Sequence, residues 1–284
     1  MKLRFLHLRT SIQKCLWVWI ILLLSASPSA SSETDFAIHF LDVGQGDAAI
    51  ILCDDEVLMI DGGSPGNSSF IYSYLKNTLG LDHIDHMVAS HPHEDHVGGL
   101  SGALNACTVG NVYSPVEDYP SDAFQAFLKY SSIQGLNLII PQSGDTFQLG
   151  SATVQFLSPA MQYFSINDMS LVIRIVYGQT SFLFMGDAEW DAEHQLVDSC
   201  FDLSSTVLKV GHHSSETSSS YVFLREVMPE YAIISVGDGN HYGHPSDDVL
   251  SRLHDADTNV YRTDQVGTVI LTSDGVNLSF ETEC

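Results

Sequence analysis

No stretch of this 284-residue chain constrains its fold more than His91-Pro92-His93-Glu94-Asp95-His96-Val97-Gly98-Gly99. Three imidazoles and the Asp95 carboxylate fall within six residues, a dense set of metal-ligand side chains. Neutral imidazole nitrogen and carboxylate oxygen suit Zn²⁺ and its first-row neighbours, and a catalytic site of that kind needs no thiol. The apolar residues Met87, Val88 and Ala89 read as the end of a buried strand leading into the cluster. In an extended turn His91 and His93 point the same way, because side-chain direction repeats every second residue. A bend after them turns Asp95 and His96 toward a second point. Val97-Gly98-Gly99-Leu100 then opens a helix whose amide-rich start lies near the site. One loop histidine is ordinarily just solvated; four ligand-type side chains together call for a common partner.

The rest of the chain repeats this arrangement of apolar strand followed by polar cluster. Strands are expected at 36–41, 48–53, 57–60, 109–113, 136–140, 146–149, 152–157, 171–177, 181–185, 205–210 and 231–236, with three short ones near 260, 266–272 and 276–280. Helices are expected at 69–79, 97–105, 123–133, 190–198, 217–227 and 246–254. Asp61, His91 to His96, Asp187, the His212-His213 pair and His244 each come just after a strand. Open α/β sheets hold ligands beyond the carboxyl ends of their strands, so these residues are expected to meet. Asp42 or Asp47 is expected beside Asp61 at the same sheet edge. An Asp in a turn is commonly only a backbone acceptor, which applies to Asp42 above all. Two halves, each of strands then helices, would pack sheet on sheet with helices outside.

Charge narrows the partners. The chain carries 11 basic and 35 acidic residues, a net of −24. Four of the basic ones, Lys2, Arg4, Arg9 and Lys14, lie in the first 30 positions, which hold no acid. There a basic start, the apolar run from Cys15 to Leu24 and the small residues from Ser25 to Ser32 read as a secretory signal cleaved after Ala30. Ten apolar residues are short of the roughly 20 that span a bilayer, so no membrane span is expected in the mature chain. Residues 31–284 would form one secreted or extracytoplasmic domain with seven basic against 35 acidic residues, a net of −28. Such a surface disfavours duplex nucleic acid and anionic membranes except where bound cations reverse the field. Cys53, Cys107, Cys200 and Cys284 remain, enough for two disulfides in an oxidising compartment.

The spacing H-x-H-x-D-H resembles the signature of the metallo-β-lactamase superfamily of two-metal hydrolases. Within that superfamily the chain is similar to the hydrolase domain of the ComEC-type competence proteins. The likeness rests on the histidine cluster, on Leu41-Asp42-Val43-Gly44-Gln45-Gly46-Asp47-Ala48 and on Leu58-Met59-Ile60-Asp61-Gly62-Gly63. It continues through Asn167-Asp168-Met169-Ser170, Phe184-Met185-Gly186-Asp187, Lys209-Val210-Gly211-His212-His213-Ser214-Ser215 and Asn240-His241-Tyr242-Gly243-His244-Pro245. No segment of this chain matches the membrane channel of those proteins, so DNA import is not implied. The resemblance implies a four-layer αββα sandwich and two divalent cations, Zn²⁺ foremost and Mn²⁺ next. His91 and His93 would hold one cation, Asp95 and His96 the other, with Asp187 bridging them. Asp168, or Asn167 beside it, stands where the family usually has a third-motif histidine, and Asp168 is taken as the ligand. One of His212 and His213 would complete the second cation's set. Spacing does not separate them; His213 is taken as the ligand, leaving His212 against substrate. Asp61 would orient the first histidines from behind, with Asp47 near it.

Two-metal sites hold cations roughly 3.5–4 Å apart and acidify a water near neutral pH. Asp95 or Asp187 would orient that nucleophile, and His212 or His244 would protonate the departing oxygen. The resemblance therefore implies a metal-dependent hydrolase of phosphodiesters, acting on a small or single-stranded phosphoester such as a nucleic acid or phosphocholine-like ester. A hydrolase of carboxylic esters, lactones or β-lactams is the next reading. A metal-binding surface protein without turnover is the third.

Overall fold

The structure, a computed structural model, describes residues 36–158 and 165–283. The expected signal, residues 1–30, lies outside the described residues, as do Cys284 and most of the expected loop at 159–166. Fifteen described strands form two sheets. The first contains β1 (Phe36–Phe40), β2 (Ala49–Cys53), β3 (Glu56–Ile60), β4 (His83–Val88), β5 (Thr108–Tyr113) and β6 (Leu138–Ile139). The second contains β7 (Thr146–Leu149), β8 (Ala152–Phe156), β9 (Ile173–Tyr177), β10 (Thr180–Phe184), β11 (Val207–Lys209), β12 (Tyr231–Ile234) and β13 (Asn259–Arg262). The chain then returns to the first sheet with β14 (Val269–Ser273) and β15 (Leu278–Thr282), giving the orders β15-β14-β1-β2-β3-β4-β5-β6 and β13-β12-β11-β10-β9-β8-β7.

Period-2 alternation explains how the sheets face each other. Phe36, Ile38 and Phe40 of β1, Leu58 and Ile60 of β3, and Phe182 and Phe184 of β10 join one buried cluster between the sheets. Their neighbours point outward: Ile50, Val57 and Met59 pack against Ile71, Leu100, Phe124 and Phe127. On the far side Leu183, Leu208 and Ile234 meet Leu196, Phe223 and Leu253. The outer layer of the first sheet holds α1 (Ser68–Ser73), α2 (Glu94–Val97), α3 (Leu100–Ala106) and α4 (Asp122–Ile133). That of the second holds α5 (Trp190–Val197), α6 (Tyr221–Val227) and α7 (Asp247–Asp255), and a one-turn α8 (Thr263–Val266) precedes β14. Three apolar layers between four tiers make the αββα sandwich. No helix among the described residues is long and apolar enough to cross a membrane.

Each sheet is antiparallel at one side and parallel at the other. β3 through β6 run parallel, and so do β10 through β13. Parallel neighbours need crossover connections, and their loops leave the carboxyl ends of the strands. Asp61 follows β3, His91 to His96 follow β4, Asp187 follows β10, His212 and His213 follow β11, and His244 follows β12. The parallel halves thereby direct every cluster to one edge.

Local chemistry moved three boundaries. The helix expected from 217 begins at Tyr221, because the Ser220 hydroxyl accepts from the Phe223 amide and caps it. The helix expected over 69–79 is α1 followed by a wider turn, Tyr74–Thr78. The strand expected at 266–272 starts at Val269, after α8 closes at Gly267 with φ 70°. The cysteines also correct an expectation. Cys53 lies in the core between the sheets, Cys107 in the outer helical layer, and Cys200 is exposed. All three are free, and no disulfide joins the described residues.

Candidate metal centre

The loop after β4 is seated on the turn after β3. The Gly62 amide donates to the His96 carbonyl (2.7 Å) and the Gly99 amide to the Gly63 carbonyl (3.0 Å). A Cβ on Gly99 would collide with the Gly62 backbone, so the two glycines allow that close approach. His93 stays extended (φ −68°, ψ 151°) and α2 begins at Glu94, which produces the bend expected after the second histidine. His91 Nε2 and His93 Nδ1 come within 3.0 Å of each other, while Asp95 and His96 face a different direction.

Two groups of three donors result, each with its ligand atoms within 4.8 Å of one another: His91, His93 and Asp187, and Asp95, His96 and His213. Asp187 belongs to both neighbourhoods. Its Oδ2 lies 3.5 Å from His91 Nε2, and its Oδ1 lies 3.1 Å from His96 Nε2 and 3.6 Å from His213 Nε2. Asp95 Oδ2 is 3.3 Å from His213 Nε2.

The residues behind the imidazoles decide which nitrogen faces inward. His96 Nδ1 donates to Asp61 Oδ2 (2.9 Å), and that carboxylate also accepts from the Ser90 amide (2.7 Å) and hydroxyl (2.6 Å). His213 Nδ1 donates to the Ser235 carbonyl (2.9 Å). Asp47 stands beside that nitrogen at 3.3 Å and is paired at 2.6 Å with the buried ammonium of Lys209. Asp47 and Asp61 also group with His96 or His213, but from the Nδ1 side: Asp61 has both oxygens engaged by Ser90 and His96, and Asp47 has Oδ2 on Lys209 and Oδ1 beside His213 Nδ1 without a hydrogen bond. They are the supports of the imidazoles. Such partners fix a tautomer and raise ligand basicity.

The donor set fits a divalent cation. His96 Nε2, His213 Nε2 and Asp187 Oδ1 are buried and have no hydrogen-bond partner among the described residues. Unmet buried polar atoms are costly unless a ligand satisfies them. The field favours positive charge at the same point. Burial alone would push His213 down, but the carboxylates of Asp187, Asp47 and Asp95 outweigh it and hold the imidazole up at about 10. His96 likewise is lowered by burial, yet is held well above the usual range by Asp187 and Asp61. Burial would raise Asp187, but the surrounding imidazoles hold it well below the usual carboxylate range. Asp47 is also raised by burial, and Lys209 and His213 bring it down to about 2.

The expectation for Asp168 is corrected. Its Oδ1 accepts from the amides of Glu189 (2.9 Å) and Ala192 (3.3 Å), so it satisfies the free N–H groups at the start of α5. Asn167 faces the site instead, with its Nδ2 at 3.5 Å from His212 Nε2. The structure also separates the adjacent histidines. His213 is buried with the inner donors, and His212 is half-buried, its Nδ1 donating to Glu189 Oε1 (3.1 Å). His244 lies close by, 5.6 Å from His212 between ring centroids. Burial and the imidazoles of His212 and His213 lower it to about 4. Lys209 and Glu189 escaped sequence reasoning. Their signals were a lone charge closing an apolar strand, and an acid two residues beyond Asp187. A cavity of about 320 Å³ opens over the donors, with Gln45, Glu94, Asn167, Tyr242 and His244 in its wall. A larger groove of about 670 Å³ runs along α6 and the end of α7, away from every donor group.

Residues 41–238 match the family model described as metallo-beta-lactamase superfamily. The chain belongs to that superfamily. The chain is 29% identical to ComE operon protein 3 of Bacillus subtilis in an alignment of 268 residues that covers 88% of this chain and 34% of that protein. It is 30% identical to competence protein ComA of Neisseria gonorrhoeae in an alignment of 257 residues that covers 88% of this chain and 35% of the relative. The metallo-β-lactamase domain described here thus spans about a third of the curated relatives it matches. Among solved structures it is similar to Igni18, a metallo hydrolase of Ignicoccus hospitalis (TM-score 0.54, 16% identity, 84% of this chain and all of the other). It is also similar to CmlA, a diiron β-hydroxylase of Streptomyces venezuelae (TM-score 0.56, 14% identity, 84% of this chain and 54% of the other). At those identities the likeness is one of fold. Metallo-β-lactamase superfamily proteins are generally metal-dependent hydrolases, and the His/Asp groups for divalent metals stand in this one.

Proposed function

We propose that this chain is a metal-dependent phosphodiesterase acting on a small or single-stranded phosphoester outside the cytoplasm. One observation carries the reading: the two oxygens of Asp187 divide between two donor groups that open into one cavity. His91, His93 and Asp187 would hold one divalent cation, and Asp95, His96, His213 and Asp187 the other, with Zn²⁺ or Mn²⁺ suited to such N/O donors. Bound there, the cations would supply Lewis acidity and an acidic water near neutral pH.

The protein's own side chains do the rest. Asp95, a third exposed on its side chain, borders the cavity and can accept a proton from the attacking water. Glu189 accepts from His212 Nδ1 and orients the ring, so Nε2 faces the cavity, where it can pass a proton to the departing oxygen. His244, lowered to about 4, is neutral at pH 7 and serves as a hydrogen-bonding group beside the leaving atoms. Among the described residues no Lys or Arg lines the cavity, and the chain is strongly acidic. Long duplexes, which need many phosphate contacts, are therefore disfavoured relative to a small ester. The similarity to competence proteins supports phosphodiester chemistry, and the apolar leader supports action outside the cytoplasm.

The test is to strip the protein with a chelator, restore Zn²⁺ or Mn²⁺, and assay bis-aryl phosphate, mono-aryl phosphate and a chromogenic cephalosporin in parallel. Metal-dependent turnover is expected on the bis-aryl phosphate above the others. Turnover confined to the cephalosporin would transfer the assignment to lactam or ester hydrolysis. Metal binding with no turnover at all would leave a binding protein.

A further inference from the structure

The two donor groups are built differently. His96 and His213 are 0% and 2% exposed. Each has its Nδ1 fixed by a buried acceptor, Asp61 for one and the Ser235 carbonyl for the other. Both Nε2 atoms are therefore pre-aimed, and both lack a hydrogen-bond partner. Four carboxylates gather around this pair: Asp95 and Asp187 on the open side, Asp61 and Asp47 behind. A divalent ion placed here finds ligands already ordered and the greatest concentration of negative charge.

The other group is less complete. The half-buried side chain of His93 hydrogen-bonds, among the described residues, only to His91. Only Asp187 contributes charge to the set. The position that would supply a further donor is spent, because Asp168 caps α5. What remains at the cavity wall is Asn167, whose buried Oδ1 is unpartnered and offers at most one neutral oxygen.

We propose that loading is ordered: the Asp95–His96–His213 set takes the first divalent cation tightly, and the His91–His93 side holds the second weakly and exchangeably, for want of a third imidazole at position 167. The inference rests on the metal-dependent reading above and adds which position is resident and which is exchangeable. A weak second position makes turnover depend on free metal concentration, while the fold retains its first ion throughout.

The chelator-stripped full chain is titrated with Zn²⁺ alone, bound ions are counted by native mass spectrometry, and affinities are read against a competing chelator. Wild type should bind one ion and then a second, the steps separated by at least about tenfold, the lower end of what loss of a supporting partner costs. His93→Ala should erase the weaker step and keep the tighter one; His213→Ala should do the reverse. Asn167→His supplies the missing imidazole, so it should strengthen the second step and narrow the gap without changing the first. That variant keeps the proposal testable if His213→Ala does not fold. Two ions of equal affinity in wild type, a His93→Ala protein that loses the tighter step, or an Asn167→His protein with an unchanged gap would each overturn the ordering. Equal affinities with intact phosphodiester turnover would sink the ordering alone, whereas absence of any bound ion would take the proposed function with it.

Discussion

The loops after β4 and after β11 both deliver histidines to the same centre, and they do it by opposite means. The first uses ordinary backbone: His93 is extended and α2 follows at once, so the donors diverge without any residue at positive φ. The second passes His212, His213 and Ser214 through positive φ (47°, 50° and 67°), with Ser219 at 55°. The left-handed region costs a non-glycine residue roughly 1–2 kcal/mol. That loop must be held from outside. The Ser218 hydroxyl donates to the Gly211 carbonyl (2.8 Å), and Arg252 donates to the carbonyls of Glu216 (3.1 Å) and Ser218 (3.0 Å). The buried Glu193 carboxylate accepts from the amides of Ser219 and Ser220. A ligand loop can thus be written into its own spacing or imposed by its surroundings, and this centre uses one of each.

Three changes would break or sharpen that contrast. The largest effect is expected at Asp187, the carboxylate both loops share. Asp187→Ala should lower metal-dependent turnover by more than a hundredfold, beyond the roughly 10–100-fold typical of supporting residues, with the circular dichroism of the fold retained. A near-normal rate would show that the two histidine loops do not meet on one carboxylate.

Next comes the pair that ties the strand before the second loop to the first sheet. Lys209→Met leaves Asp47 buried without its counter-charge, and urea unfolding should show a loss of about 3–5 kcal/mol. A loss under about 1 kcal/mol would mean that Asp47 is stabilised chiefly by His213, and that the imposed loop does not depend on Lys209.

The smallest and most diagnostic effect belongs to Glu193. Glu193→Gln should destabilise the fold by about 1–3 kcal/mol through imperfect acceptance of two buried amides. Burial raises the carboxyl of Glu193 above its ordinary value. A raised folded-state value adds stability that is complete below the unfolded value of about 4.3 and is lost as pH rises through the folded one. Wild-type stability relative to Glu193→Gln should therefore decline across that window. A difference that stays flat with pH would show that folding leaves the proton affinity of this carboxyl unchanged.

Much of this was legible beforehand, for reasons that differ by residue. His91, His93, Asp95 and His96 lie within six residues, so a single short turn relates them and no long-range fact is needed. The strands were legible because they are buried on alternating sides, as in Phe36, Ile38 and Phe40 against Leu41. Asp168 misled because a carboxylate beside a site and a carboxylate capping α5 look alike in sequence; only the position of the Glu189 and Ala192 amides distinguishes them. Lys209 was invisible as a functional residue because its partner, Asp47, is 162 positions away in the chain. The cysteines misled because pairing depends on which layer each occupies.

The amino-acid order by itself determined the layered α/β class, the clustering of donors after strands and the chemical identity of those donors. Each of these depends on periodicity or on neighbours a few residues apart. Which histidine of the pair at 212 and 213 joins the inner donors, which carboxylates stand behind the imidazoles, and that the third-motif position contributes an amide were decided only in three dimensions. Those choices turn on hydrogen bonds between segments that meet because two sheets stack. The free energy of such bonds has no trace in local spacing.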